Sequence, residues 1–261
     1  MEQAGHLPAV NTVGLGAPLR WLAGGWADFR RAPGPCIIYG LCLAAISAGF
    51  AAALFITGEA KWLLALAAGF LLVAPMFAMG LYEAGRMLER GEQPGLGDIL
   101  FVKSAFRREV VFLGVALVLV YSIWVEMAFL IYGLSTYKVH KTMVDFLNFM
   151  FTDPAGIQMA LIGTAIGGFI AFLAYTLVVV SAPMLLSRKT DVFIATITSV
   201  RTVTRNFLPM LVWAVLIVGL TALGIATGFL GLIVTFPVIG LASWRAYRDL
   251  VPLSAGDLSP A

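Results

Sequence analysis

The stretch from Val110 to Ser135, VVFLGVALVLVYSIWVEMAFLIYGLS, decides the fold of this protein. It contains one charged residue, Glu126, and exceeds the roughly 20 apolar residues that a helix needs to cross a bilayer. The whole chain follows the same trend, because 61% of its 261 residues are hydrophobic and only 12% are charged. Soluble domains carry about 25% charged residues, so the composition predicts an integral membrane protein.

The apolar segments predict an all-α fold, a bundle of six transmembrane helices arranged as three hairpins. The predicted spans are residues 35–57, 62–82, 110–135, 157–186, 207–228 and 230–247. They lie within one membrane domain, residues 18–250, between an N-terminal tail of residues 1–17 and a C-terminal tail of residues 251–261. The fourth span lies in an uncharged stretch longer than one upright helix requires, so it is expected to tilt or to project beyond the lipid.

The last two spans share a stretch, residues 206–244, that holds no charged residue. It is too long for one helix and slightly short for two. Gly224, Gly228 and Gly231 cluster near its middle and predict a tight turn between two spans. A re-entrant hairpin that never crosses fully is the alternative.

Lys and Arg residues predict the orientation, because cytoplasmic loops are enriched in these cations. Fourteen of the 17 lie on one side of the predicted spans and three on the other. The three are Lys61, Lys138 and Lys141. Both termini are therefore expected in the cytoplasm, and the protein is expected in a bacterial inner membrane. Since the cations flank apolar segments, the net charge of +3 does not indicate nucleic-acid binding.

Short amphipathic segments precede or connect the spans. Residues 191–205 place Phe193, Ile197 and Val200 on one helical face, and residues 21–31 and 138–152 show similar apolar faces. Such segments are expected as helices in the membrane interface or packed against the protein's own bundle. Pro75, Pro183 and Pro237 fall late in each returning helix, which suggests a threefold repeat. The positive-inside rule alone also gives any three hairpins this appearance.

Glu126 is the one acid well inside a predicted span, and Ser122 lies one turn before it. An intramembrane carboxylate is costly and is a candidate functional group by default. A structural carboxylate, snorkelling or hydrogen-bonded, is the favoured interpretation, and a polar site formed by the pair for a proton or small solute is the alternative.

Small residues recur in the fourth span and predict a close helix contact. They are Ala160, Gly163, Gly167 and Ala171. This face is expected either to pack within the chain or to form a dimer surface.

Motifs for catalysis, cofactors or metals are missing from the sequence. His6 and His140 are its only histidines, and both lie outside the spans. Cys36 and Cys42 share no CxxC motif or histidine-bearing cluster, so no metal is predicted. With no nucleotide loop or catalytic signature either, we expect no cofactor and no enzymatic activity.

Gly25-Trp26-Ala27-Asp28-Phe29, followed by Pro33 and Tyr39-Gly40, resembles an uncharacterised family of bacterial integral membrane proteins, a domain of unknown function. The resemblance extends from about residue 18 to 250 and implies a six-helix membrane bundle. Members are sometimes labelled cytochrome c oxidase subunit I. A haem–copper core needs several intramembrane histidines, and no predicted span contains one, so the sequence argues against that label.

Two functions are compatible with the sequence. The first is a non-catalytic accessory, assembly or scaffold partner of another membrane complex, for example a respiratory one, that binds a membrane protein or a second copy of itself. The second is a transporter or channel for a small solute or protons that uses Glu126. The missing chemistry and the small-residue face favour the first.

Overall fold

A computed structural model describes residues 7–140 and 142–252, except the side chains of Lys103 and Phe106. Residues 1–6 and 253–261 of the predicted tails, and Lys141 of the outer segment, lie outside the described residues. Twelve α-helices occur in the described part of the chain. They are α1 Ala17–Arg31, α2 Pro33–Ile56, α3 Leu63–Phe77, α4 Met79–Glu89, α5 Leu96–Leu100, α6 Arg108–Ser135, α7 Met143–Thr152, α8 Pro154–Val178, α9 Ser181–Ser187, α10 Val192–Arg205, α11 Phe207–Ala226 and α12 Leu232–Leu250.

Among the residues that the structure describes, five helical segments are long and apolar enough to cross a membrane. They are Pro33–Ile56, Ala60–Phe77, Arg108–Ser135, Pro154–Ser187 and Phe207–Ala226. The prediction of an all-helical membrane protein is confirmed, whereas the count of six spans stays a prediction. The predicted sixth span corresponds to α12, whose last two turns carry Arg245, Arg248 and Asp249.

The turn between α11 and α12 lies where the glycine cluster predicts it. Gly228 has φ +66° and the next residue, Phe229, has φ +70°. Glycine adopts such a left-handed conformation without steric cost, which explains its presence at a turn that ends one apolar helix and begins another.

Two helices that the sequence predicts as continuous are interrupted near a proline. The predicted span 62–82 divides into α3 and α4 at Ala78, three residues after Pro75. There the Leu81 amide bonds the Ala78 carbonyl oxygen, and the Tyr39 hydroxyl donates to the carbonyl oxygen of Phe77. The predicted span 157–186 divides into α8 and α9, because the ring of Pro183 clashes with a helical carbonyl four residues earlier.

The chain divides into two compact units. The first comprises the described parts of residues 1–45, 75–114 and 176–261, and the second comprises residues 46–74 and the described parts of 115–175. In the first unit, α1 packs along α12, which also contacts α4 and α11. The core there includes Phe29, Leu88, Ile99 and Leu241. This arrangement brings the N-terminal approach helix against the last described helix.

The second unit has its own small core, formed where α7 packs on α6 and α8. Phe146 and Phe149 of α7 are buried with Met159, and Met143 and Met150 pack against them. The apolar side of α7 therefore packs against the protein's own bundle, which is one of the two arrangements that the sequence pattern allows.

Candidate functional site

Glu126 and Ser122, the predicted intramembrane polar pair, lie one turn apart on an exposed face of α6. The Ser122 hydroxyl donates to the Val118 carbonyl oxygen of its own helix at 3.0 Å. Among the residues that the structure describes, the Glu126 carboxylate has no hydrogen bond or ion pair. The carboxylate oxygens are therefore available to a group from outside the chain.

Exposed residues around Glu126 recur at intervals of four and three positions. This spacing places their side chains in one line along the helix. They are Val115, Leu119, Ser122, Glu126, Phe129 and Gly133. We call this line of residues the α6 seam. Apart from Ser122 and Glu126 it is apolar, so the two polar groups are its only hydrogen-bonding side chains.

Trp124 fixes the rotation of α6 within the second unit. Its indole Nε1 donates to the Ala65 carbonyl oxygen of α3 at 2.8 Å. A Cβ added at Gly69 of α3 or at Gly167 of α8 would lie within 2.8 Å of the Trp124 ring. The indole thus fills the space left by two glycines from different helices. Because Trp124 and Glu126 lie on opposite sides of α6, this packing directs Glu126 outward.

The predicted small-residue face of α8 is used in part. Gly167 is buried against Trp124, and Ala160 and Ala171 are half-buried. A Cβ added at Gly163 would meet no atom within 4 Å. Gly167 therefore receives an aromatic side chain of the same unit, and Gly163 remains open to an outside surface.

Asp28 of the Gly-Trp-Ala-Asp-Phe segment is buried in the first unit, with 3% of its surface exposed. Arg245 of α12 binds it through two hydrogen bonds, Nη2 to Oδ1 at 2.7 Å and Nε to Oδ2 at 2.5 Å. Gly25 permits this contact, since a Cβ there would lie 2.7 Å from the Val238 carbonyl oxygen. The segment that carries the family resemblance therefore joins the first and last described helices.

Tyr39-Gly40, the second part of that resemblance, also serves packing in the first unit. Tyr39 donates to the carbonyl freed at the break between α3 and α4. A Cβ at Gly40 would lie 2.3 Å from the Ile233 carbonyl oxygen, so only glycine allows α2 to approach α12 this closely. Tyr39 and Gly40 therefore both make contacts with main-chain atoms of other helices.

Two further cations of the first unit, Arg248 of α12 and Arg188 directly after α9, are bound within that unit as well. Arg248 Nε and Trp244 Nε1 both donate to Glu89 of α4, at 2.9 and 3.0 Å. Arg188 is buried, and its guanidinium donates to the Tyr247 hydroxyl at 2.8 Å and to the Pro252 carbonyl oxygen at 2.9 Å. The sequence pattern missed these pairs, because their members lie far apart along the chain.

The second unit holds a polar cavity of about 470 Å³ between the ends of α6, α7 and α8. His140 forms one wall, with its ring stacked on Phe149 and Nδ1 2.9 Å from the Tyr132 hydroxyl. Asp145 and Asp153 are among the other lining residues.

The second unit also contains an ion pair, in which Lys61 lies 2.9 Å from Glu59. The hydrogen bond from Lys61 holds the pKa of the Glu59 carboxyl below its usual range. No group of three His, Cys, Asp or Glu side chains suited to a metal occurs among the described residues.

Residues 63–187 match the sequence profile of a family described as "Predicted integral membrane protein (DUF2189)". The expected family resemblance is confirmed. The matched stretch, from α3 to the end of α9, is shorter than the expected range of residues 18–250, and Gly25–Phe29 lies outside it. The family description states membrane residence and no activity. No curated protein and no solved structure gives a match to the chain.

Proposed function

We propose that this protein is a non-catalytic membrane subunit that acts by contact, as an accessory, assembly or scaffold partner of another membrane complex. The observation that carries the proposal is the α6 seam, an apolar line of exposed side chains. In its middle lie a hydroxyl and a carboxylate that has no partner among the described residues. A second membrane protein, or a second copy of this chain, is the occupant that this seam fits. Small or polar side chains in a membrane-buried face are typical of helix association.

The depth of Glu126 supports a protein partner. At about 1.5 Å per residue, α6 is about 42 Å long and Glu126 lies about 14 Å from its outer end. The hydrocarbon core is about 30 Å thick, so a centred α6 places this carboxylate inside it. An unpaired acid there costs about 2.5 kcal/mol or more by insertion scales. A partner helix that donates a hydrogen bond or a cation to Glu126 removes this cost.

We also propose six spans, with both termini in the cytoplasm of a bacterial inner membrane. The orientation rests on the distribution of the basic residues. Single cysteines at exposed positions 59, 138 and 230 should react with an impermeant thiol reagent from outside, and those at 92 and 189 should not. If position 138 reacts and position 230 does not, α11 and α12 form a re-entrant hairpin and the six-span topology is wrong.

The alternative function is transport of protons or a small solute through Glu126. Two variants separate it from the docking function. Glu126→Gln retains hydrogen bonds but no charge, and Glu126→Leu removes both. For a docking residue, native mass spectrometry of gently solubilised membranes should find wild type and Glu126→Gln bound to a partner or to a second copy. Glu126→Leu should be monomeric.

The control for these variants is Phe169→Leu, a change at an exposed position of α8 outside the α6 seam, which should not alter the assembly. A monomeric wild-type protein that dissipates a proton gradient in liposomes, and loses that activity in Glu126→Gln, would overturn the docking function in favour of transport.

A further inference from the structure

The apolar face of α10 is directed away from the first unit. Phe193 and Ile197 are 74% and 47% exposed, whereas the side of α10 that faces the unit carries small and hydroxyl-bearing residues. These are Ala195, Thr198, Ser199, Thr202 and Val203. The amphipathic pattern is therefore inverted relative to a soluble protein, and the surroundings of α10 on its outer side must be apolar.

The hydroxyl groups on the inner side of α10 have hydrogen-bond partners that do not depend on Phe193 or Ile197. The Thr198 and Thr202 hydroxyls donate to helix carbonyls at 2.7 Å, and Ser199 Oγ donates to the Thr176 carbonyl oxygen at 2.7 Å. Because these hydroxyls already have partners in the packed position, a rotation of α10 that turned Phe193 inward would break the Ser199 contact. The outward placement of the apolar face is therefore built into the packing.

Helix α1 also exposes large apolar side chains, although its inner side, which includes Trp21 and Phe29, is apolar as well. Leu15, just before it, and Leu19 are 60% and 59% exposed, and Trp26 is 44% exposed, whereas Trp21 and Asp28 on the other side are buried. Two separate helices of the first unit thus expose large apolar side chains, including the type of aromatic residue that is enriched at membrane interfaces.

Both helices carry cations at the edges of these faces. The exposed ones are Arg20, Arg30, Arg31, Arg201 and Arg205. Asp28 is the single acid of α1 and is buried against Arg245, and α10 contains no acid. The exposed Asp191 at the N-cap of α10 accepts a hydrogen bond from the Phe193 amide at 2.7 Å. The exposed charge of the two helices is therefore positive, which complements an anionic surface.

Each of the two helices connects directly to a candidate span. One residue, Ala32, separates α1 from the candidate span α2, and one residue, Asn206, separates α10 from the candidate span α11. Asn206 also joins the two sites, because its Oδ1 accepts from the Val13 amide at 2.8 Å and its Nδ2 donates to the Asn11 carbonyl oxygen at 2.9 Å. Each helix therefore directly precedes a candidate span, and Asn206 joins the segment before α1 to the start of α11.

We propose that the outward faces of α1 and α10 form one lipid-binding surface, which we call the interfacial face. Its apolar side chains insert between lipids at the membrane surface, and its arginines bind the phosphate groups of anionic phospholipids. The interfacial face is independent of the α6 seam, which lies in the second unit, so neither proposal rests on the other.

The insertion is tested with a fluorescent label on single cysteines at positions 193 and 197. The background is Cys42→Ala, which removes the exposed thiol and leaves the buried Cys36 in place. The control label is at exposed residue 92, in the turn after α4. In phosphatidylglycerol nanodiscs, a lipid carrying a quencher near its headgroup should quench labels 193 and 197 at least about twofold more than label 92.

Two other outcomes would overturn the insertion. If aqueous iodide quenches labels 193 and 197 as strongly as label 92, the face lies in water. If both labels are protected from iodide and from the lipid quencher, a protein covers the face.

The charge preference is tested with Arg201→Gln/Arg205→Gln and with Arg90→Gln, an exposed arginine outside both helices, as the matched control. Quenching of label 197 by tracer phosphatidylglycerol should exceed that by tracer phosphatidylcholine about twofold in the parent and in Arg90→Gln. The ratio should fall to about one in the double variant. An unchanged ratio in the double variant would show that these arginines do not select anionic lipid.

Discussion

The acids beside α12 in the first unit and Glu126 in the second unit are in opposite situations. In the first unit, Asp28 and Glu89 are bound by Arg245 and Arg248 of α12. In the second unit, the carboxylate of Glu126 is exposed on a span and has no bound partner among the described residues. The first pattern stabilises a fold, since each charge is neutralised by another helix of the same unit. The second leaves a cost that a hydrogen-bond donor or a cation from outside the chain would remove.

The comparison separates residues that hold the chain together from those that are available to a partner. A change at Asp28 should act on the folding of the chain alone, and a change at Glu126 should act on assembly without loss of the fold. Four substitutions test this division, from the largest expected effect to the smallest.

Asp28→Ala should destabilise the protein by about 2–3 kcal/mol, because it leaves the Arg245 guanidinium without its bidentate partner. This loss of unfolding free energy is smaller than that expected for a fully buried ion pair, since the Arg245 side chain is 43% exposed. The measurement is the unfolding midpoint in detergent, with Glu126→Gln as the matched variant of the second unit. If Glu126→Gln lowers the midpoint as much as Asp28→Ala, the division is wrong.

Gly25→Ala should cost about 2 kcal/mol, because the added methyl group would overlap the backbone of α12 near Val238. Backbone atoms cannot move aside as a flexible side chain can. Gly34→Ala, nine positions later, is the control, since its Cβ would meet no atom within 4 Å. Equal unfolding midpoints for the two variants would contradict the close approach of α1 and α12.

Gly167→Ala should cost about 1 kcal/mol, because the methyl group must displace the Trp124 ring that lies 2.6 Å from the new atom. Gly163→Ala, one turn away on the same face, should raise the unfolding midpoint slightly, since alanine favours a helix more than glycine does. The two variants distinguish the part of the small-residue face that Trp124 covers from the part that no side chain of the described residues covers. A loss of stability in both would show that Gly163 is also packed.

Tyr39→Phe should have the smallest effect, about 0.5–1 kcal/mol, since it removes one hydrogen bond to the Phe77 carbonyl oxygen. Tyr137→Phe, at a fully exposed tyrosine, is the matched control and should be neutral. If the two variants unfold alike, water satisfies the Phe77 carbonyl and Tyr39 does not stabilise the break between α3 and α4.

The helical content and the turn between α11 and α12 could be predicted from sequence, because hydrophobic length and glycine clusters are local signals. The breaks after Pro75 and before Pro183 could not be placed to the residue, since a proline permits either a kink or a break. The pairing of Asp28 with Arg245 joins residues 217 positions apart, and nothing local indicates it. For α7 and α10 the pattern gave the apolar face, but only packing shows that one is turned inward and the other outward.

The sequence predicts Glu126 and Ser122 as a candidate site because they are polar residues inside a predicted span. Their exposure on the surface of α6 supports our proposal that they contact a partner. A photo-crosslinking amino acid at position 119 tests this link most directly in intact cells, with the same group at exposed position 169 of α8 as the control. We expect one discrete protein adduct, or a dimer of this chain, from position 119, none from position 169, and its loss when Glu126→Leu is added. Adducts with lipid alone at position 119, or an adduct that Glu126→Leu leaves unchanged, would contradict docking at the α6 seam.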